Sequence, residues 1–121
     1  MPSVRLVLTT LPNAEVAETM ARNLVESGLA ACVNILAPCR SVYRWQGAVQ
    51  EDGEIPLFIK TTVELYPALE TYLRKRHPYE LPEIVALDVS DGLPDYLHWV
   101  TQTTFMPEPG AASAGPSADP S

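Results

Sequence analysis

The stretch Val4-Arg5-Leu6-Val7-Leu8-Thr9-Thr10, then Pro12-Asn13, then Ala14-Glu15-Val16-Ala17-Glu18-Thr19-Met20-Ala21-Arg22-Asn23-Leu24-Val25-Glu26-Ser27-Gly28, decides the fold. Its first part, from Ser3 to Thr10, reads as a strand, with Val4, Leu6 and Leu8 on one face and Val7 on the other. Pro12-Asn13 supplies a turn and an N-cap, because an Asn side chain accepts a bond from an orphan N–H of the first helical turn. Residues 14–27 then read as a helix: Val16, Met20 and Leu24 recur every four positions, with Ala17, Ala21 and Val25 beside them. Gly28 stands where a left-handed C-cap is wanted.

The pattern continues outward from that pair. Residues 29–37 and 41–47 are extended, with Pro38 between them, and Asp52-Gly53 is a hairpin signal that predicts a returning strand over 54–62. A second helix is expected over 63–76, with Thr62 placed to cap it and Pro67 in its first turn; His77-Pro78 ends it. A strand over 83–89 and a short helix over 94–103, with Leu97 and Val100 facing inward, complete the order β-α-β-β-α-β-α. That order is the split βαβ arrangement of the α+β class, an antiparallel sheet with two helices on one face. The domain is expected to span 1–105, followed by a flexible Pro/Ala/Ser-rich tail over 106–121.

The strands are apolar on both sides. Val4, Leu6 and Leu8 oppose Val7; Leu57 and Ile59 oppose Phe58; Ile84 and Ala86 oppose Val85, Leu87 and Val89. A sheet with one wet face would alternate apolar and polar residues. Two helices cover one face only, so the second predicts an interface in a closed homo-oligomer.

Composition narrows the function. The chain has 121 residues, which fits one domain, and 46% of them are hydrophobic against 19% charged, as in an ordinary globule. Fifteen acidic residues against eight basic ones give a net charge of −7, which argues against a nucleic-acid partner. The longest apolar run, Leu29-Ala30-Ala31-Cys32-Val33, falls far short of the ~20 residues that span a bilayer. The start, Met1-Pro2-Ser3-Val4-Arg5, lacks the marks of a secretory signal. Cys32 and Cys39 lie too far apart along an extended segment for a disulfide, whose Cα atoms need to come within about 7 Å. A reduced, cytoplasmic chain is expected.

Two groups of residues invite chemistry. In His77-Pro78-Tyr79-Glu80-Leu81-Pro82-Glu83, prolines restrict the backbone while an imidazole and two carboxylates offer ligands suited to a divalent cation; His77, Glu80 and Glu83 are the candidates. The competing reading is a histidine capping its helix, Tyr79 packed and both glutamates solvated. Tyr43 and Trp45 share a strand face, and Lys60 lies on the returning strand. They suggest an aromatic pocket with a cationic end, suited to an anion, with Tyr79 and Trp99 as further walls. The alternative is an aromatic ladder at a subunit contact, Lys60 extending over the rings. No nucleophile elbow, phosphate loop or cofactor motif accompanies these residues, so an acid–base pair of Glu83 and His77 ranks last.

Taken in order, Gly28-Leu29-Ala30-Ala31-Cys32-Val33-Asn34, Ser41-Val42-Tyr43-Arg44-Trp45-Gln46-Gly47, Lys60-Thr61-Thr62, His77-Pro78-Tyr79-Glu80-Leu81-Pro82-Glu83-Ile84 and Tyr96-Leu97-His98-Trp99 closely resemble the CutA family of divalent-cation tolerance proteins. The resemblance implies a ferredoxin-like subunit in a homotrimer whose hairpin strands pair between subunits. It also implies a cytoplasmic role in the response to copper and other divalent metal ions, bound weakly. A non-catalytic, ligand-sensing trimer with a small-molecule pocket between subunits is the alternative. Copper ligands proposed in the family include a cysteine near the end of the first strand and a His-His pair. Here the strand ends Leu8-Thr9-Thr10 and the pair is Arg76-His77, so His77 alone carries over.

Overall fold

The computed structural model describes residues 3–107. Its first elements follow the sequence pattern closely. Strand β1 spans Val4–Leu11 and helix α1 spans Ala14–Glu26. Asn13 is extended, and its side chain accepts the N–H of Val16 at 2.9 Å, closing one of the orphan donors of the first turn. At the other end Gly28 adopts φ +87°, a left-handed conformation that turns the chain so that the Ala30 N–H reaches the Leu24 carbonyl, while the Gly28 N–H donates to Val25. Ala17, Met20, Ala21 and Leu24 form the buried stripe of α1.

The chain has five strands where the order read from the sequence counts four. Strand β2 (Cys32–Ile35) is separate from β3 (Cys39–Trp45), and β4 runs unbroken over Ala48–Thr62. Helix α2 spans Tyr66–Arg76, strand β5 Val85–Asp88 and helix α3 Pro94–Thr103. Pro67 sits in the first turn of α2, where its missing N–H costs nothing, and Thr62 Oγ1 accepts the N–H of Leu65 just before it. The sheet order is β2-β4-β1-β5, with every neighbouring pair antiparallel, and β3 pairs with the first half of β4.

The hairpin turns at Gln46-Gly47, not at Asp52-Gly53. Gln46 (φ 51°) and Gly47 (φ 83°) both occupy the left-handed region, as a two-residue turn of the primed type demands, and Trp45 pairs with Ala48 across it. Gly53 has no positive φ; it lies inside β4 opposite Arg40. An Asp-Gly pair is thus absorbed into a fifteen-residue strand, whose first half forms a two-stranded arm with β3.

The two faces of the sheet have different fates. Val7, Leu11, Leu57 and Ile59 point toward α1 and α2 and are buried with Leu24, Leu69 and Leu73, while Ile84 and Ala86 pack at the edge of that core. On the opposite face Leu6 lies between Lys60 and Leu87, and Leu8 between Phe58 and Val85. Helix α3 covers one end of this face, enclosing Val4 and Ala31 with Leu97 and Val100. Among the described residues nothing covers the rest: Phe58, Val85 and Leu87 expose 36%, 44% and 51% of their surface. The two-faced apolar pattern therefore holds in three dimensions. The expected tail over 106–121 lies, beyond Pro107, outside the described residues.

Candidate functional site

His77 ends α2, and its backbone N–H still reaches the Leu73 carbonyl at 2.8 Å. Its side chain turns inward and is buried. Nδ1 accepts the N–H of Tyr79 at 3.3 Å, while Nε2 lies 2.9 Å from the Thr10 carbonyl and 3.1 Å from Thr9 Oγ1. A carbonyl only accepts, so Nε2 carries the proton and Nδ1 has its lone pair engaged. Burial holds the histidine below its ordinary pKa, against smaller opposing effects of the Thr10 carbonyl and the Glu54 carboxylate. The imidazole thus pins the segment after α2 to the end of β1. This meets the expectation of His77 as a metal ligand with a geometric obstacle, because no ring lone pair is free. Nor does the ring cap its own helix: it bonds to β1 instead.

Glu80 and Glu83 are exposed, as the solvated reading expected, and Tyr79 is partly buried with its ring 4.9 Å from that of His77. The three candidate metal ligands do not converge in one chain. Among the described residues no group of three His, Cys, Asp or Glu side chains is placed to hold a metal ion.

The segment does form one wall of a groove of about 710 Å³. The β3–β4 arm supplies the other wall, with Tyr43, Trp45, Asp52 and Glu54; Pro78, Tyr79, Glu80 and Glu83 face them. Of the five expected pocket residues, Tyr43, Trp45 and Tyr79 meet here, and Lys60 and Trp99 do not line it. The reason is register. Tyr43 lies opposite Gln50, and Lys60 is ten residues further along β4, roughly 33 Å if the strand is straight. Lys60 instead donates to Asn34 and approaches Cys32, and Trp99 stacks against Tyr96 at 5.5 Å. Both cysteines are free thiols.

The groove is electrically the reverse of the expected cationic pocket. Among the described residues no Lys, Arg or His lines the groove, whereas Asp52, Glu54, Glu80 and Glu83 do. The Tyr43 phenol donates to Asp52, and that bond is the main reason its proton is held more tightly than usual. Tyr79 is pushed far above the ordinary phenol range, first by burial and then by its hydrogen bond to Glu54 and the nearby negative charge. Thr10 Oγ1 donates to the same Glu54 carboxylate at 3.2 Å. Asp52 and Glu54 are not among the residues that the sequence pattern marks for the site. Reading the turn at Gln46-Gly47 would have found them, since it sets Asp52 opposite Ser41, two residues from Tyr43, and Glu54 opposite Cys39.

Comparison with known proteins agrees with this architecture. A family model described as CutA1 divalent ion tolerance protein matches residues 5–103. A divalent-cation tolerance protein CutA from Thermus thermophilus is 50% identical over 99 residues, covering 82% of this chain and 96% of the relative. A protein CutA from Mus musculus is 48% identical over 102 residues, and the match spans 84% of this chain but only 58% of that longer relative. Among solved structures, the Thermus thermophilus divalent cation tolerance protein superposes with a TM-score of 0.82 at 48% identity, covering 84% of this chain and 99% of that one. CutA1 from Oryza sativa gives 0.82 at 40% identity, covering 87% and 95%.

Proposed function

The chain belongs to the CutA1 divalent ion tolerance family, and on that premise we propose that it acts in tolerance of divalent cations as a homotrimer of ferredoxin-like subunits. The observation that carries the assembly is the uncovered sheet face. Phe58, Val85 and Leu87 continue the half-buried Leu6 and Leu8 into one apolar surface, and such surfaces mark interfaces. The β3–β4 arm, which pairs with no other strand of its own chain among the described residues, reaches toward a neighbouring subunit.

The same reading has copper or another divalent ion bound weakly by the segment after α2. Glu80 and Glu83 offer exposed carboxylates without rearrangement. His77 contributes only if the Tyr79 N–H releases Nδ1, which accounts for weak binding. Two free thiols suit the reducing cytoplasm, where we place the protein.

Light scattering and copper calorimetry on the untagged chain test the proposal. A mass three times the 13.2 kDa of one chain is expected, with weak heats that fall in a Glu80→Gln/Glu83→Gln variant. A monodisperse monomer overturns the assembly. Heats unchanged by the double substitution remove these carboxylates from the cation site.

A further inference from the structure

The groove between the arm and the segment after α2 differs from a metal site in size, wall and shape. At about 710 Å³ it falls in the range of small-molecule pockets, roughly 300–1,000 Å³. Metal ions need oxygens converging to within about 2–2.6 Å, and no such group is present among the described residues. Three rings, Tyr43, Trp45 and Tyr79, line the space instead. Ring faces carry negative charge and attract cations, an organic cation more than a strongly hydrated metal ion.

Charge selects the same kind of ligand. Asp52 and Glu54 lie on the arm side, each held by a phenol, Tyr43 on Asp52 and Tyr79 on Glu54. Asp52 therefore has its orientation set by one phenol, and Glu54 by the Tyr79 phenol together with the Thr10 hydroxyl; each carboxylate offers about four lone-pair sites, so both keep acceptor capacity for a ligand. Neither arginine of the arm lines the groove: Arg40 is turned to Glu51, and Arg44 reaches the Gly47 carbonyl at the turn.

We propose that this groove binds a small organic cation, an alkylammonium or guanidinium compound, with its charge between Asp52 and Glu54 and its carbon skeleton against Tyr43, Trp45 and Tyr79. The site lies within one chain and uses neither His77 nor a metal.

The test is fluorescence titration of the full-length Trp99→Phe protein, which leaves Trp45 as the only tryptophan. EDTA is present throughout, so the outcome is independent of the metal reading. The probes are 1,4-diaminobutane and arginine amide, with 1,4-butanediol and glutarate as the neutral and anionic controls. A saturable change in Trp45 emission is expected with the two cations and neither control. Asp52→Asn and Glu54→Gln should each weaken binding about tenfold. Tyr43→Phe, which keeps the ring but frees Asp52 from its phenol, should weaken binding less than Tyr43→Leu, which should lose about fivefold. Thermal melts and far-UV spectra check that each variant is folded. The proposal is overturned if neither cation gives a saturable change up to roughly 10 mM, if the diol or the dicarboxylate acts equally, or if folded Asp52→Asn and Glu54→Gln proteins bind like the parent.

Discussion

Alanine at position 28 would test how the end of α1 is built. Gly28 adopts φ +87°, and a Cβ added there would lie 2.5–2.6 Å from three ring atoms of Phe105. Two costs arise. The left-handed backbone costs an L-residue about 1–2 kcal/mol. The ring must also move, because no real Cβ tolerates such an approach. Phe105 is tethered by its own N–H, which donates to the Gly28 carbonyl at 3.0 Å, but its side chain is partly free, with 56% of the residue exposed. It can therefore swing outward and lose its remaining contact. Full burial of a Phe is worth roughly 1.5–3 kcal/mol, and less than half of it is buried here, so this loss is about 1 kcal/mol. Gly28→Ala should thus destabilise by about 2–3 kcal/mol and Phe105→Ala by about 1 kcal/mol. The double variant should cost no more than Gly28→Ala alone, because the ring contact is then lost only once. Urea unfolding of the four proteins at one common concentration measures this, since an oligomer's midpoint depends on concentration. The expected coupling is about 1 kcal/mol; additivity within roughly 0.5 kcal/mol would refute the steric reasoning.

Other positions yield sharper single readings. Because burial lowers the pKa of His77, the unfolded chain takes up the proton first. Its contribution is therefore complete above the ordinary histidine value of about 6.5 and is lost as pH falls from there through the lower folded value. Urea midpoints between pH 8 and pH 5 should decline more in the parent than in His77→Gln, and parallel curves would remove His77 as the cause. Leu87→Asp puts a charge on the uncovered sheet face, where the residue is already 51% exposed; light scattering should show dissociation to subunits that keep their helical spectrum. Asn13→Ala removes the acceptor of the Val16 N–H and should cost about 1 kcal/mol in urea unfolding, with the assembly intact.

Local rules made much of the fold legible. Asn13, Gly28 and the four-residue spacing of Val16, Met20 and Leu24 act within one or two turns, so no distant contact is needed to read α1. The alternation of Val7 against Leu6 and Leu8 likewise carries over, because the strand period assigns each side chain to a face before any partner is known. His77 is different. Its position at the end of α2 was readable, but the bonds that define its role run to Thr9 and Thr10, more than sixty residues earlier. A conspicuous histidine among carboxylates suggests a ligand, whereas the fold uses its two nitrogens to join chain segments.

The groove depended on a single turn. Asp-Gly and Gln-Gly both place glycine at the second position of a two-residue hairpin, and Asp-Gly is the stronger local signal. Choosing it ends the outgoing strand too late and brings Lys60 toward the aromatic residues. The observed turn at Gln46-Gly47 lies six residues earlier. It sets Tyr43 beside Asp52 and leaves Lys60 far along β4. Moving the turn by six residues shifts the cross-strand pairing by twelve, and a shift of this kind is always even, so every side chain keeps its face. The apolar pattern of β4 is therefore the same under either turn and could not expose the error. Only the identity of the cross-strand neighbours changes, and with it the sign of the groove. The same aromatic walls that suggested an anion site face carboxylates, and the ligand they suit is a cation.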